Sequence, residues 1–174
     1  SLGPPHCEVA CIQVDGEPVN FSYIVEAGAH ITVYDQNSAH ELQNGVSLRP
    51  TLEHKPRFIL DTHLGRLASY LRMMGFDTLY RNDFPDDELA QISHDESRIL
   101  LTRDIGLLKR SIVIYGRFMR ETAPKRRVLE VVNHFDLARW VVPFQRCLTC
   151  NGQLHPVDKE QILAQLSEST IQYY

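Results

Sequence analysis

Two short apolar segments, each followed by an aspartate, constrain the fold of this chain more than any other feature. The first, Phe58–Leu60, leads directly into Asp61, and the second, Ile99–Thr102, leads through Arg103 into Asp104. Short apolar runs bounded by polar residues are consistent with strands buried inside a parallel sheet. The carboxyl ends of such strands are where an open α/β sheet binds its ligands. We therefore expect both aspartates at a ligand-binding edge.

The middle section around these segments alternates between helix and strand patterns. Apolar residues recur with helical spacing over residues 63–74, and Gly75 follows them as a stop signal. The other predicted elements are strands over 76–80, 98–102 and 112–115, and helices over 86–96, 104–109 and 127–135. This alternation predicts an α/β fold with a mainly parallel sheet flanked by helices.

The two ends of the chain have a different character. Residues 1–50 are β-rich, with predicted strands over 8–14, 19–25 and 30–34 and a turn at Asp15-Gly16. A hairpin and one further strand are too small to fold alone. Residues 35–56 have the Asn, Ser, Gly and Pro content of a linker, and a tail with a short helix over 159–166 begins at Pro143.

Length and charge set broad limits on the function. The 174 residues allow one domain with small appendages. Because the sequence has no membrane-spanning run and no secretory signal pattern, we expect a cytoplasmic protein with reduced cysteines. Net charge is −6 over residues 1–54 (one Arg against seven acids), +4 over 55–146 (sixteen Lys and Arg against twelve acids) and −2 over 147–174 (one Lys against three acids). The basic middle section suits a polyanion, although charge alone favours an ordinary mixed-charge surface.

Asp61 and Asp104 are candidate ligands of a divalent metal, with a third carboxylate supplied by the acidic cluster that begins at Asp86. Within this cluster Asp87 is the first choice and Asp86 the second, and Asp83 is close enough to compete. Mg²⁺ takes oxygen ligands and retains waters, so two or three carboxylates suffice, and the metal can activate water against a phosphodiester. The alternative is that these acids cap helices or complement helix dipoles. Capping is the better explanation of any single aspartate, whereas two strand-end aspartates with a third acid between them favour the metal.

Basic residues near these acids are candidate phosphate contacts. Arg103 adjoins Asp104 at the mouth of the site, and each arginine has the alternative of an ordinary surface role. The other candidates for RNA contact are Arg66, Arg72, Arg81, Lys109 and Arg110. Lys109 and Arg110 also belong to a dense set of basic residues that indicates a nucleic-acid-facing edge. Its other members are Arg117, Arg120, Lys125, Arg126 and Arg127.

Cys147 and Cys150 have the CxxC spacing of a zinc knuckle, but a zinc ribbon needs four ligands and no second CxxC follows. Cys7 and Cys11 lie in a strand pattern that favours a buried apolar role. His155 alone leaves the site incomplete. The pair is therefore half of a zinc site. The sequence contains no GxGxxG, P-loop or GxSxG motif.

The motifs "FILDTHLGRLASYLRMMGFDT", "DDELAQI", "RILLTRD" and "PFQRCLTCNG" together resemble the Mut-seven C-terminal ribonuclease domain of the PIN-like nuclease superfamily, over about residues 57–157. The resemblance implies a PIN-like α/β sandwich and metal-dependent cleavage of RNA, with Asp61, Asp87 and Asp104 as the acidic residues and Arg103 beside the last. Residues 4–35 resemble the second half of the ubiquitin-like β-grasp domain that often precedes this nuclease. Family members usually continue into a second CxxC, so either the given span omits it and the first half of the β-grasp, or this member has lost both.

From these patterns and this resemblance we expect a partial β-grasp over 1–50, a PIN-like nuclease domain over 57–142 and a partial zinc-ribbon tail over 143–174. The expected function is a Mg²⁺- or Mn²⁺-dependent endoribonuclease, with Zn²⁺ bound if a second cysteine pair exists. The expected partner is RNA, whether tRNA, rRNA or mRNA. One alternative is a catalytically weak module that binds RNA or a ribonucleoprotein, and another is a protein-interaction role of the β-grasp piece.

Overall fold

The computed structural model describes residues 3–35, 48, 52–167 and 170. Most of the predicted linker over 35–56 lies outside these residues. The N-terminal part is a three-stranded antiparallel sheet in the order β2-β1-β3, made of β1 (Cys11–Val14), β2 (Glu17–Val19) and β3 (Ile31–Tyr34). The hairpin turns at Asp15 and Gly16, whose positive φ angles of 51° and 89° are those of a tight two-residue turn.

The strand predicted over 19–25 is wrong beyond Val19. The side chain of Asn20 accepts hydrogen bonds from the amide N–H of Ser22 at 2.9 Å and from its hydroxyl at 2.6 Å. An Asn side chain that bonds the backbone two residues on closes a turn. This turn diverts the chain away from the sheet before it returns as β3.

The second sheet contains β4 (Phe58–Leu60), β5 (Thr78–Tyr80), β6 (Ile99–Thr102) and β7 (Gly116–Phe118). All its pairings are parallel, in the order β5-β4-β6-β7. The helices are α1 (Gly65–Met73), α2 (Asp86–Asp95), α3 (Ile105–Leu108), α4 (Pro124–His134) and α5 (Lys159–Ile162). Single 3-10 turns span His6–Glu8, Thr62–Leu64, Leu137–Trp140 and Leu163–Gln165, so the strand predicted over 8–14 begins only at Cys11. The parallel sheet with flanking helices confirms the predicted α/β class and is consistent with a PIN-like fold.

The last strand of this sheet lies later in the chain than predicted. Residues 112–115 were expected as a strand that Gly116 stops, but Gly116 is itself the first residue of β7. A Cβ on Gly116 would lie 2.6 Å from Cδ2 of Leu108 and 3.1 Å from Sγ of Cys7. The glycine therefore lets this edge strand pack closely against α3 and the N-terminal segment. Likewise, α4 begins at Pro124 rather than 127, since proline suits the first turn of a helix.

The sheet is buried on both faces, because alternate residues of each strand point to opposite sides. Phe58 and Leu60 pack with α1 and α4, while Ile59 packs with α2 and α3, and all three are fully buried. Burying a side chain of this size contributes about 1.5–3 kcal/mol. This two-sided packing holds the strand ends, and thereby Asp61 and Asp104, in fixed positions.

The N-terminal segment docks on the free edge of the sheet at β7. The ring Nε2 of His6 lies 2.8 Å from the carbonyl oxygen of Val113, and Cys7 joins the core beneath α3. The Glu8 carboxylate accepts a hydrogen bond from the amide N–H of Phe118 at 2.8 Å and is only 4% exposed. The small antiparallel sheet is thus anchored through the residues that precede it.

Candidate active site

The carboxyl ends of β4 and β6 form the centre of the candidate site. The chain passes from β4 to β5 on one side and then crosses to β6 on the other, so the strand order reverses between β4 and β6. Such a reversal opens the crevice in which open α/β sheets bind ligands. Asp61 follows β4 directly and Asp104 follows β6 by one residue. The structure therefore brings these two predicted acids to one crevice.

A buried threonine joins the two aspartates. The Thr102 hydroxyl donates to Oδ2 of Asp61 at 2.6 Å and accepts from the amide N–H of Asp104 at 2.9 Å. Thr102 is fully buried, and a hydrogen bond to a charged carboxylate is stronger than one between neutral groups. Thr102 was not among the predicted site residues. Its signal in the sequence is a hydroxyl residue two positions before Asp104, at the end of a buried strand.

Both aspartates also cap the turns that follow them. Oδ1 of Asp61 accepts from the amide N–H of Thr62 at 2.5 Å, and Oδ1 of Asp104 accepts from those of Gly106 at 2.6 Å and Leu107 at 3.3 Å. The capping alternative is therefore real at both positions. It does not exclude metal binding, because a carboxylate has two oxygens and Asp104 caps through one.

The turn after Asp61 is supported from β5 and α4. The Tyr80 hydroxyl donates to the carbonyl oxygen of Thr62 at 2.7 Å, and its ring lies 2.9 Å from where a Cβ on Gly65 would stand. A guanidinium N–H of Arg127 donates to the carbonyl oxygen of His63 at 3.4 Å. Tyr80 was not among the predicted site residues, and its signal in the sequence is Gly65, a glycine at the start of a helix that indicates close packing.

The acidic cluster at the start of α2 faces a cation of the protein itself. Asp87 is 90% exposed and forms an ion pair with Arg110, just after α3. The hydrogen bond to Asp87 raises the pKa of Arg110 above its ordinary value, and the charges of Asp86 and Asp104 raise it further. Arg110 thus lies within electrostatic reach of three predicted metal ligands, from both sides of the crevice.

Within the described part of the chain, no three His, Cys, Asp or Glu side chains lie close enough together to hold a metal ion. The arrangement is instead two bridged strand-end aspartates, with Asp87 paired to Arg110. The oxygen donors available in the crevice are carboxylates and a hydroxyl, which fit a hard cation such as Mg²⁺ or Mn²⁺ better than a soft one.

The other basic candidates divide by exposure. Arg66 and Arg103 are exposed, and Lys109 is half-buried. Arg81 is exposed and bonds Asp83 at 2.9 Å and Glu88 at 3.3 Å. These four remain accessible to a polyanion.

Two of the basic residues predicted to face RNA are buried, and the structure corrects that expectation. Arg72 is 5% exposed and donates to the carbonyl oxygens of Thr78, Leu148 and Thr149 at 2.9–3.0 Å. Burial lowers its pKa, and the two thiols of the CxxC loop and Asp77 act in the opposite direction. Arg117 is 7% exposed and pairs with the buried Glu8 at 3.4 Å. Both have structural roles that their sequence neighbourhoods did not indicate.

The CxxC loop is a preformed turn. The amide N–H of Cys147 donates to the carbonyl oxygen of Gly152 at 2.8 Å, and Asn151 has a positive φ of 66°. Backbone amides of Cys150 and Thr149 lower the pKa of the Cys147 thiol, with a further contribution from the Cys150 side chain. Amides directed at sulfur favour the thiolate that zinc requires. Cys7 and Cys11 are buried in the N-terminal part, as expected, and no disulfide joins any of the four cysteines, all of which are described.

None of the helices in the described ranges has the length and apolarity needed to span a bilayer. Residues 56–174 match the family described as the Mut7-C RNAse domain, and residues 1–41 match the Mut7-C ubiquitin family. No curated protein and no solved structure matches the chain.

Proposed function

We propose, from the premise that this chain belongs to the Mut7-C RNAse domain family, that it is an endoribonuclease whose active centre is the crevice between β4 and β6. Family membership supports a ribonuclease-like function with RNA as substrate. The N-terminal Mut7-C ubiquitin region would serve contacts with other proteins. A reducing, cytoplasmic setting is part of the proposal, because it suits four cysteines without a disulfide.

The observation that carries the proposal is the link between Asp61 and Asp104 through the Thr102 hydroxyl. It orients one aspartate by its side chain and the other by its backbone, at the strand reversal of a parallel sheet. A helix cap needs no such connection between two separate strands. The link is therefore better explained by a site that requires both carboxylates in a defined relation.

In the proposed mechanism Asp61 and Asp104 would hold a divalent cation, Mg²⁺ or Mn²⁺, with Asp87 or Asp86 as a further ligand. PIN-like RNase domains generally use such metals, and the bound ion would polarise the phosphodiester and lower the pKa of an attacking water. Thr102 orients the Asp61 carboxylate. Arg103, exposed beside Asp104, would neutralise a phosphate oxygen, as would Arg110 once released from Asp87.

The test is cleavage of a labelled RNA in Mn²⁺ or Mg²⁺ and in EDTA. We expect cleavage only with metal, and a loss of about 100-fold or more in Asp61→Asn and Asp104→Asn. Asp136→Asn is the matched control, because Asp136 is exposed on a loop beyond α4 and pairs only weakly with Arg139 at 3.8 Å. Asp104→Asn protein that cleaves as fast as the parent would overturn the assignment of the site.

A second candidate function is RNA binding without turnover. The observation that favours it is that the described acids do not converge on one metal position, while Arg110 already neutralises Asp87. Salt-sensitive RNA binding that is equal in Mn²⁺ and EDTA, with no cut ends at any metal concentration, would support this function over the nuclease.

A further inference from the structure

A polar pocket, separate from the crevice between β4 and β6, lies at the opposite end of the parallel sheet from the aspartates. It has a volume of about 300 Å³ and is lined by Lys55, Arg57, Asp77, Gln145, Arg146 and Gln153, among others. Arg57 immediately precedes β4, and Asp77 immediately precedes β5. Arg57 and Asp61 are four residues apart along an extended chain, so the two sites are separated by roughly 13 Å.

The pocket is built from parts that are held firmly together. Gly75 has a φ of +89°, and a Cβ there would lie 1.9 Å from the carbonyl oxygen of Val142. The amide N–H of Val142 donates to the carbonyl oxygen of Met74 at 3.0 Å. The end of α1 and the segment that leads into the CxxC loop are therefore in direct backbone contact. The pocket lies where this segment meets the sheet.

The only acid lining the pocket is already matched by cations. Burial would raise the pKa of Asp77, but hydrogen bonds from Arg98 and Asn151, both at 2.8 Å, lower it below its ordinary value. Arg98 is itself buried and also bonds Glu96 at 2.7 Å. Asp77 also pairs with Arg146 at 3.5 Å, and the half-exposed Glu96 pairs with Arg98, so in the described part of the chain neither carboxylate forms an ion pair with Lys55 or Arg57.

Three cations lie on the pocket wall, of which Arg146 pairs with Asp77, whereas Lys55 and Arg57 form no ion pair with a described carboxylate. The ammonium of Lys55 lies 5.1 Å from the ring centroid of Phe76, and among the described acids none forms an ion pair with it. Burial and the nearby charge of Arg146 both lower the pKa of Lys55. Arg57 donates to the backbone carbonyl of Glu96 rather than to a carboxylate. A bound anion would stabilise a half-buried lysine beside two arginines, because it reduces the repulsion among their positive charges.

We propose that this pocket binds a phosphate group of RNA. Lys55, Arg57 and Arg146 against the single Asp77 leave an excess of two positive charges, which matches the charge of a terminal phosphate. The amides of Gln145 and Gln153 supply neutral donors, and the volume is at the lower end of the range for small-ligand sites. Strand β5 runs from the pocket side, at Asp77, to the exposed Arg81 on the side of the aspartates.

Binding at this pocket is measured separately from cleavage, although the choice of RNA as the source of the phosphate rests on the proposed function. Anisotropy of a labelled oligoribonucleotide in EDTA, where no metal is available, is compared for a 5′-phosphate and a 5′-hydroxyl form. Lys55→Gln is the test variant and Lys55→Arg its rescue. Lys159→Gln is the matched control, because Lys159 is exposed on α5 and does not line the pocket. Inorganic phosphate and AMP are used as competitors.

We expect Lys55→Gln to weaken binding of the 5′-phosphate form roughly tenfold, with recovery in Lys55→Arg and no change in Lys159→Gln. Loss confined to the 5′-phosphate form identifies a terminal phosphate, and equal loss in both forms identifies an internal phosphodiester. If AMP and inorganic phosphate displace the labelled RNA, free phosphate compounds are identified as the source of the phosphate group. Unchanged affinity of Lys55→Gln for both RNA forms, with no competition by either phosphate compound, would overturn the proposal. A normal metal-dependent cleavage rate alongside that result would leave the nuclease proposal intact.

Discussion

Replacing Thr102 by valine tests whether the link between the strand ends organises the site. Valine has nearly the same shape as threonine, so Thr102→Val leaves no cavity in the buried position and removes only the hydroxyl. The Asp61 carboxylate loses a donor at 2.6 Å, and the amide N–H of Asp104 loses an acceptor at 2.9 Å. Within the described part of the chain, these are the two hydrogen bonds that the Thr102 side chain makes.

The magnitude follows from these two bonds. A hydrogen bond to a charged group is worth about 1.5–3 kcal/mol and an ordinary one about 1 kcal/mol, so Thr102→Val should lower the free energy of unfolding by about 2–4 kcal/mol. For a chain of this size the melting temperature falls about 2–4 °C per kcal/mol, or roughly 4–16 °C in total. Since the Asp61 carboxylate would then keep its bonds to Thr62 but lose the donor that orients its second oxygen, the rate of RNA cleavage should fall by about 10- to 100-fold.

The variant Thr102→Ser separates the loss of stability from the loss of cleavage rate. It keeps the hydroxyl and deletes one buried methyl group, so it should cost about 1 kcal/mol of stability and leave cleavage within about threefold of the parent. Thr122→Val, at an exposed threonine, controls for the substitution itself. Cleavage is followed with labelled RNA in saturating Mn²⁺, and stability by thermal melting of the same samples. If Thr102→Val melts earlier but cleaves at the parental rate, the hydroxyl only stabilises the fold, and the reasoning about the site is refuted.

Two further predictions concern buried ion pairs that hold the ends of the chain to the sheet. Glu8→Ala leaves the buried Arg117 with Glu130, at 3.5 Å, as its remaining carboxylate partner, so it should cost about 3 kcal/mol, measured by urea unfolding. Glu17→Ala, at an exposed position of β2, should cost little, and equal stability of the two variants would contradict the proposed anchor. Asp77→Asn should destabilise by about 3 kcal/mol at pH 7. Because the pKa of Asp77 is lowered in the folded state, the carboxylate contributes its full stabilisation above pH 3.8, the ordinary pKa of the group, and loses it as the pH falls further. The urea midpoints of parent and variant should therefore converge below that pH. A constant difference down to pH 3 would show that Asp77 acts without its charge.

The sequence predicted well what depends on neighbouring residues. Apolar runs identified β4 and β6, and helical spacing with a following glycine identified α1 and its end, where Gly75 does adopt a positive φ. Strand-end aspartates could be placed at one edge because parallel strands all end on the same side. The errors in local structure occur where one side chain overrides the pattern, as at Asn20, or where close packing requires Gly116 inside a strand.

The pairings across the chain could not be predicted in this way. Asp87 and Arg110 are 23 residues apart, Glu8 and Phe118 are 110 apart, and Arg72 and Leu148 are 76 apart. No periodicity in a window of ten or twenty residues contains such information. For the same reason the sequence could list basic residues but could not separate the buried arginines from the exposed ones.

The roles of Arg72 and Asn151 change how the tail should be understood. Arg72 holds the carbonyl oxygens of Leu148 and Thr149, between the two cysteines, while Asn151 bonds both the amide N–H of Thr78 and the Asp77 carboxylate. The CxxC turn is therefore held against the parallel sheet by Arg72 of α1 and by Asn151 of the turn itself. A loop ordered in advance loses less conformational entropy when an ion binds. A half-site of two cysteines would then already present its sulfurs in one geometry, and any additional ligands need only complete the coordination.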